Sequence, residues 1–273
     1  METPVTETVH PWRRYIAIGD SFTEGMSDAD PLIQGRYVGW ADRLAAALST
    51  QVPDGEFAYA NLAVRGRKLD DVIGPQLDAA LAAGPDLVSI VGGGNDILRP
   101  RVDLDEIADR LEQAVVRIRA TGADVLMATP ADPADAGLLA SLRSRHAVHS
   151  ANVFSIAQRQ GAHVLNLWGL RALRDLRLWS TDRIHLSTEG HRRVAQEALA
   201  ALAQPVSDPD WRSPLAPAPA VARREQVAET ARWARSYAAP WVHRRLTGRS
   251  SGDSVTAKIA EPAPFGPADL PGA

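Results

Sequence analysis

Ser21, Asp182 and His185 are the residues whose chemical types fit together most directly in this chain. A serine hydroxyl is a weak nucleophile. It needs a base to take its proton, a group to orient that base, and donors for the charge that develops on the attacked carbonyl oxygen. Ser21 follows the apolar run Tyr15-Ile16-Ala17-Ile18 and the pair Gly19-Asp20, the pattern of a buried strand delivering a serine to the carboxyl edge of a sheet. Asp182 stands three residues before His185. In a turn, a carboxylate at that spacing can reach Nδ1 and leave Nε2 for the serine.

The elements needed to position these groups are visible as alternating patterns. Apolar runs at 13–18, 57–62, 86–91, 124–129 and 162–167 read as five strands, each ended by small or turn-forming residues. Between them, residues 37–49, 104–118, 141–160 and 188–203 repeat apolar side chains at helical spacing. Residues 69–82 do so too, with Gly74-Pro75 expected to kink or interrupt the helix. Strands alternating with helices imply a doubly wound parallel sheet covered on both faces, with ligands at the carboxyl ends of the strands. Ser21, Gly66 and Asn95 all fall at such ends, after the first, second and third strands.

Composition narrows the function classes. With 30 Lys+Arg against 33 Asp+Glu the net charge is -3, giving no global attraction to nucleic acid or an anionic surface. The absence of cysteine excludes disulfides, thiol nucleophiles and cysteine-based zinc sites. No run approaches a membrane span, and the first residues lack the apolar core of a secretion signal. The expectation is a cytoplasmic protein.

Taken together and in this order, Gly19-Asp20-Ser21, Gly66, Gly93-Gly94-Asn95-Asp96 and Asp182-x-x-His185 resemble the blocks of the SGNH (GDSL-type) hydrolase family over residues 13–204. The resemblance implies a flavodoxin-like three-layer α/β/α fold with a five-stranded parallel sheet and ester-hydrolysing activity without metal or organic cofactor. It implies Ser21 as nucleophile, His185 as base and Asp182 as its orienting partner. The backbone N–H groups of Ser21 and Gly66 and the Asn95 side-chain amide would then form the oxyanion hole. Phe22 stands where leucine is common in the first block, a change of pocket shape, and Leu186 follows the histidine. Thr23 stands where a Gly-x-Ser-x-Gly nucleophile elbow would need glycine.

The expected function is a serine esterase acting on a small-molecule carboxylic ester. The alternatives are a carbohydrate O-acetyl esterase or an acyltransferase on the same triad. From another class comes an interaction protein acting through a basic tail. Phe22, Trp168, Trp179 and Ile184 are the expected pocket residues, with core packing the alternative for the two tryptophans. Asp96 is expected to cap or brace its loop, His191 to be structural, and His146 and His149, with no third ligand in view, to lie on a solvated helix face rather than bind metal. Residues 1–12 read as an N-terminal segment, and 205–247 as a proline-rich linker and a basic amphipathic helix with Val227, Ala231, Ala234, Ala238 and Trp241 on one face. Residues 248–273, rich in glycine, serine and proline, read as a disordered tail.

Overall fold

In the computed structural model the chain is described at residues 12–99, 101–218, 223–238, 240 and 252–271. The five expected strands form: β1 (Arg14–Ile18), β2 (Ala58–Asn61), β3 (Leu87–Ile90), β4 (Asp124–Ala128) and β5 (His163–Leu165). They run parallel in the order β5-β4-β3-β1-β2. β1 is central, with Tyr15 opposite Tyr59 on one side and Leu87 on the other. The strand order reverses at β1, so the crevice that such sheets use for ligands opens at its carboxyl end, where Ser21 stands.

Alternation along β1 divides the interior in two. Tyr15 and Ala17 point into a core filled by Trp40, Leu44 and Leu48 of a helix at Trp40–Ser49 and by Val194 and Ala198 of a helix at Thr188–Ala201. Ile16 and Ile18 point the other way, onto Leu111, Val115 and Ile118 of the helix at Leu104–Arg119 and onto Val153 and Ile156 of the helix at Arg143–Gln160. In chain order the helices are α1 (Ser21–Glu24), α2 (Trp40–Ser49), α3 (Leu69–Asp71), α4 (Leu77–Ala82), α5 (Gly94–Ile97), α6 (Leu104–Arg119), α7 (Arg143–Gln160), α8 (Thr188–Ala201) and α9 (Arg223–Trp233). The result is the expected three-layer arrangement. Truncating a fully buried side chain such as Leu111 to alanine would cost about 2–5 kcal/mol.

Gly74-Pro75 does not end its helix. The backbone widens into a π turn at Val72–Gln76 and continues as α4. A proline has no N–H to donate and its ring crowds the preceding turn, and a π turn accommodates both.

The C-terminal third departs from expectation in two places. Residues 259–264, expected within a disordered tail, form a sixth strand, β6 (Ile259–Pro264), antiparallel to β2 with Tyr59 opposite Ala263. Its prolines are tolerated because it is an edge strand with one side unpaired, and it covers the otherwise open edge of β2. Phe265 packs on the Tyr59 ring at 5.0 Å, and the Lys258 side chain is 11% exposed. Residues 205–218 lack regular structure yet are fastened to α8. Trp211 donates to Glu197 at 2.7 Å, and Arg193 donates to the Ser213 carbonyl at 2.6 Å. Trp241 and residues 248–251 lie outside the described residues. Among the described residues, no helix is long and apolar enough to cross a membrane.

Candidate active site

The turn after β1 is fixed before any catalytic group is considered. Gly19 has φ +157°, and a Cβ there would lie 2.6 Å from Thr23 Oγ1 and 3.0 Å from the Val91 carbonyl, so only glycine fits. Gln76, on the π turn, accepts the Gly19 N–H at 2.8 Å and donates to its carbonyl at 3.0 Å. Asp20 caps α1 by accepting the Phe22 N–H at 3.0 Å. Ser21 is thereby placed at the first position of a one-turn helix.

His185 arrives from a turn whose flanks pair Trp179 with Leu186. Its Nε2 lies 3.1 Å from Ser21 Oγ, and its Nδ1 lies 2.6 Å from Asp182 Oδ2. With Nδ1 protonated toward the carboxylate, Nε2 is the lone-pair nitrogen facing the hydroxyl. The other Asp182 oxygen accepts the N–H groups of Ile184 at 2.9 Å and His185 at 3.0 Å, and the Ser180 hydroxyl at 2.6 Å. Burial pushes the Asp182 carboxyl up. The hydrogen bonds and charge of His185 and the Ser180 hydroxyl outweigh it and hold the group well below the usual carboxylate range. Serine, histidine and aspartate so arranged can pass a proton from the hydroxyl to the imidazole while the carboxylate stabilises the resulting charge.

Gly66 comes alongside because the Val64 N–H donates to the Gly19 carbonyl at 3.3 Å. Among the described residues the N–H groups of Ser21 and Gly66 have no acceptor, which leaves them available to an anionic oxygen. Asn95 is in a different state. Its amide nitrogen donates to Asp20 Oδ2 at 3.1 Å and to the Arg67 carbonyl at 2.9 Å, so any oxyanion meeting it shares or displaces one of these acceptors. Asp96 accepts the Leu69 N–H at 2.9 Å, bracing the start of α3 from the neighbouring loop. Burial raises the Asp20 carboxyl to about 6, only partly offset by the Phe22 N–H and the nearby His185.

The Gly66 loop is supported from behind. The Arg65 N–H donates to Glu24 Oε2 at 2.7 Å, and the Arg65 guanidinium pairs with the same carboxylate. Lys258 donates to the Glu24 carbonyl at 2.7 Å, the Tyr37 carbonyl at 3.0 Å and Asp42 at 2.6 Å. A Cβ on Gly252 would fall 2.0 Å from the Arg65 carbonyl. The C-terminal segment thus presses directly on the residue before Gly66.

Next to the histidine turn lies a cavity of about 350 Å³. Leu98, Pro130, Leu139, Trp179, Ile184 and Trp233 are among its walls, with Arg174, Arg183 and His146 at polar points. Two of the four expected pocket residues, Trp179 and Ile184, line it. Phe22 does not, because its ring packs on Trp40 at 5.6 Å and on His191 at 6.4 Å. Trp168 does not either, since its ring lies beneath the Arg143 guanidinium at 5.6 Å. His146 and His149 also differ from the solvated face expected. His146 lines the cavity and His149 is buried beside Gly93, and desolvation lowers both to about 4. His191 is buried, accepts the Trp40 N–H at 3.2 Å, and is lowered by burial to about 3. Among the described residues no group of three or more His, Asp or Glu could hold a metal ion.

Residues 17–193 match the model of the GDSL-like lipase/acylhydrolase family. The chain belongs to that family. It is an ester-hydrolysing enzyme. Solved structures share its fold. An α/β hydrolase, LAE5, from the metagenome of Lake Arreo, Spain, is 23% identical with a TM-score of 0.59, covering 70% of this chain and 95% of its own. A variant of Axe2, an acetyl xylan esterase from Geobacillus stearothermophilus, is 20% identical with a TM-score of 0.59, covering 72% and 97%. TesA is 21% identical with a TM-score of 0.54, covering 70% and 98%. No curated protein matches the chain.

In this GDSL hydrolase the residues that motif reading misses are those that hold others in place. Gln76 has one signal in the sequence, the Pro75 beside it, which marks a distorted helix but not what the distortion presents. Asp20 is visible as part of a turn, yet its grip on Asn95 spans 75 residues of chain. Trp233 donates to the Asp182 carbonyl at 2.8 Å, and nothing in its helix's periodicity points there.

Proposed function

We propose that this enzyme is a serine esterase cleaving carboxylic esters of medium-length acyl chains by way of an acyl-enzyme. The observation that carries the reading is the continuous path from Ser21 Oγ to His185 Nε2 at 3.1 Å and from His185 Nδ1 to Asp182 at 2.6 Å. Ser21 attacks the ester carbonyl as its proton passes to Nε2. Negative charge collects on the carbonyl oxygen, facing the N–H groups of Ser21 and Gly66 and the Asn95 amide. The bond to the alcohol oxygen breaks and the imidazolium returns its proton to that oxygen. Water, deprotonated by the same nitrogen, then attacks the acyl carbon, and the acid leaves as Ser21 regains its proton.

The apolar cavity supports an acyl chain as its occupant. At about 350 Å³ it lies within the range of ligand pockets. It is more than twice the ~150 Å³ that takes the six carbons of benzene, room for an acyl chain of roughly eight to twelve carbons. A p-nitrophenyl ester series from acetate to laurate tests both parts. The expected result is a maximum of kcat/KM at intermediate length, and turnover in Ser21→Ala reduced by about 10³-fold or more with the fold intact by circular dichroism. Turnover retained in Ser21→Ala would remove the nucleophile assignment. A maximum at acetate, with release of acetate from acetylated sugars, would favour the carbohydrate O-acetyl esterase alternative.

A further inference from the structure

The helix α9 lies beyond the family-matched residues, which end at 193. Of its apolar positions, Ala231 is exposed, whereas Trp233 is 8% exposed and turned inward. Three contacts seat this region on the turn that carries Asp182 and His185. The Trp233 indole N–H donates to the Asp182 carbonyl at 2.8 Å. The Arg183 guanidinium stacks on the Trp233 ring at 5.3 Å and pairs with Glu229 at 2.7 Å. Just past the helix, the Tyr237 and Thr181 hydroxyls are 3.3 Å apart. Arg183 has φ +57°, a left-handed conformation that a residue with a side chain rarely adopts and that needs support from its surroundings.

Trp233 also forms part of the cavity wall, with Ile184 and Trp179. Ile184 adjoins the histidine that faces Ser21. The indole is therefore shared between two jobs: its N–H end fixes the backbone of the turn, and its apolar face closes a volume beside the turn that carries His185. We propose that Trp233 is the specificity-determining residue of this enzyme, supplied by the C-terminal extension, and that it sets the acyl-chain preference by completing the wall of the cavity next to Ile184. The inference rests on the esterase reading of the site. A wide aromatic face buried against an acyl chain favours long apolar substrates over acetate, because each further methylene is removed from water. Without that face the distal carbons remain in contact with water, and the preference is lost.

The test is the ratio of kcat/KM for p-nitrophenyl octanoate to that for p-nitrophenyl acetate, measured on the full chain. Trp233→Ala is expected to lower the ratio at least fivefold, chiefly through a higher KM for octanoate. Trp233→Phe keeps a flat apolar side chain while losing the N–H and the five-membered ring of the indole, and is expected to hold the ratio within about threefold of the unsubstituted enzyme. A ratio in Trp233→Ala that stays within fivefold overturns the proposal. So does an equal loss in Trp233→Ala and Trp233→Phe, which would place the effect in the missing hydrogen bond rather than in the wall. If the alanine variant is not recovered folded, Trp233→Leu is read by the same criterion. Ser21→Ala, assayed in parallel, separates the two levels. Activity persisting there removes the esterase reading itself, whereas an inactive Ser21→Ala with an unchanged ratio in Trp233→Ala removes only the role of Trp233.

Discussion

Ser21 and His185 stand 3.1 Å apart on supports of unlike construction. The serine ends the central strand of a parallel sheet, and the residue two before it has both backbone groups held by Gln76. Gly19, Ser21 and Gln76 all lie within the residues matched to the family. The histidine sits on an irregular connection after β5, in a turn closed by the bridge between Trp179 and Leu186 and by the Ser180 N–H donating to the His185 carbonyl at 2.8 Å. Part of its support comes from outside the matched residues, through Trp233 on α9. The core thus holds Ser21, while His185 is held by a local turn braced by added chain. Variation in α9 can then reshape the surroundings of the histidine turn without disturbing the strand that leads to the serine.

Substitutions at each support sharpen the contrast. The largest effect is expected for His185→Ala, with kcat/KM reduced about 10³- to 10⁴-fold and no change in circular dichroism, measured on a medium-chain p-nitrophenyl ester. Asp20→Asn follows, at roughly 10²-fold in kcat. The cap on Phe22 can survive through the amide oxygen, but the new amide nitrogen would face that of Asn95, donor against donor, where a carboxylate oxygen now accepts.

Asp20 also makes a prediction in pH. Its carboxyl is raised from 3.8 to about 6 in the folded enzyme, chiefly by burial, so between these values the native state binds a proton that the unfolded chain does not. The stability it contributes is full below about pH 4 and is lost as pH rises through 6, by at most about 3 kcal/mol. Chemical denaturation at pH 4.5 and 7 should show that loss, and Asp20→Asn should flatten it.

Behind the Gly66 loop, Lys258→Met would leave the buried Asp42 carboxylate without its ammonium partner, at a cost of about 3 kcal/mol read as a lower melting temperature. Smaller again is Gln76→Leu, expected to lower kcat about tenfold with KM nearly unchanged. It frees the Gly19 backbone but touches no substrate. A rise in KM larger than the fall in kcat would mean that Gln76 shapes the pocket rather than the turn.

The parts of this site legible in the sequence are those fixed over short distances. Asp182 and His185 meet through a turn of three residues, and Ser21 is presented by a strand whose apolar run and terminal Gly-Asp-Ser are contiguous. The five parallel strands show as apolar runs for the same reason, since burial on both faces leaves little room for polar residues. β6 is hidden because an edge strand tolerates proline, so Ile259–Pro264 carries the composition of a disordered segment. The orientation of α9 is hidden because alanines repeating at helical spacing define a weak apolar face, and one large residue off that face, Trp233, decides which side turns inward. Phe22 and Trp168 look like pocket residues by their nearness to the motifs in sequence. Side-chain direction packs the first, half-buried, against Trp40 and the second under Arg143.

The central claim is that Ser21 is a nucleophile activated by His185. Labelling the intact enzyme with a fluorophosphonate and mapping the adduct by peptide mass spectrometry tests it most directly, because the reagent forms a stable bond only where a hydroxyl is activated. One phosphonylated residue is expected, Ser21, with labelling slowed at least a hundredfold in His185→Ala. An adduct on another residue, or labelling of Ser21 at the same rate without His185, would contradict it.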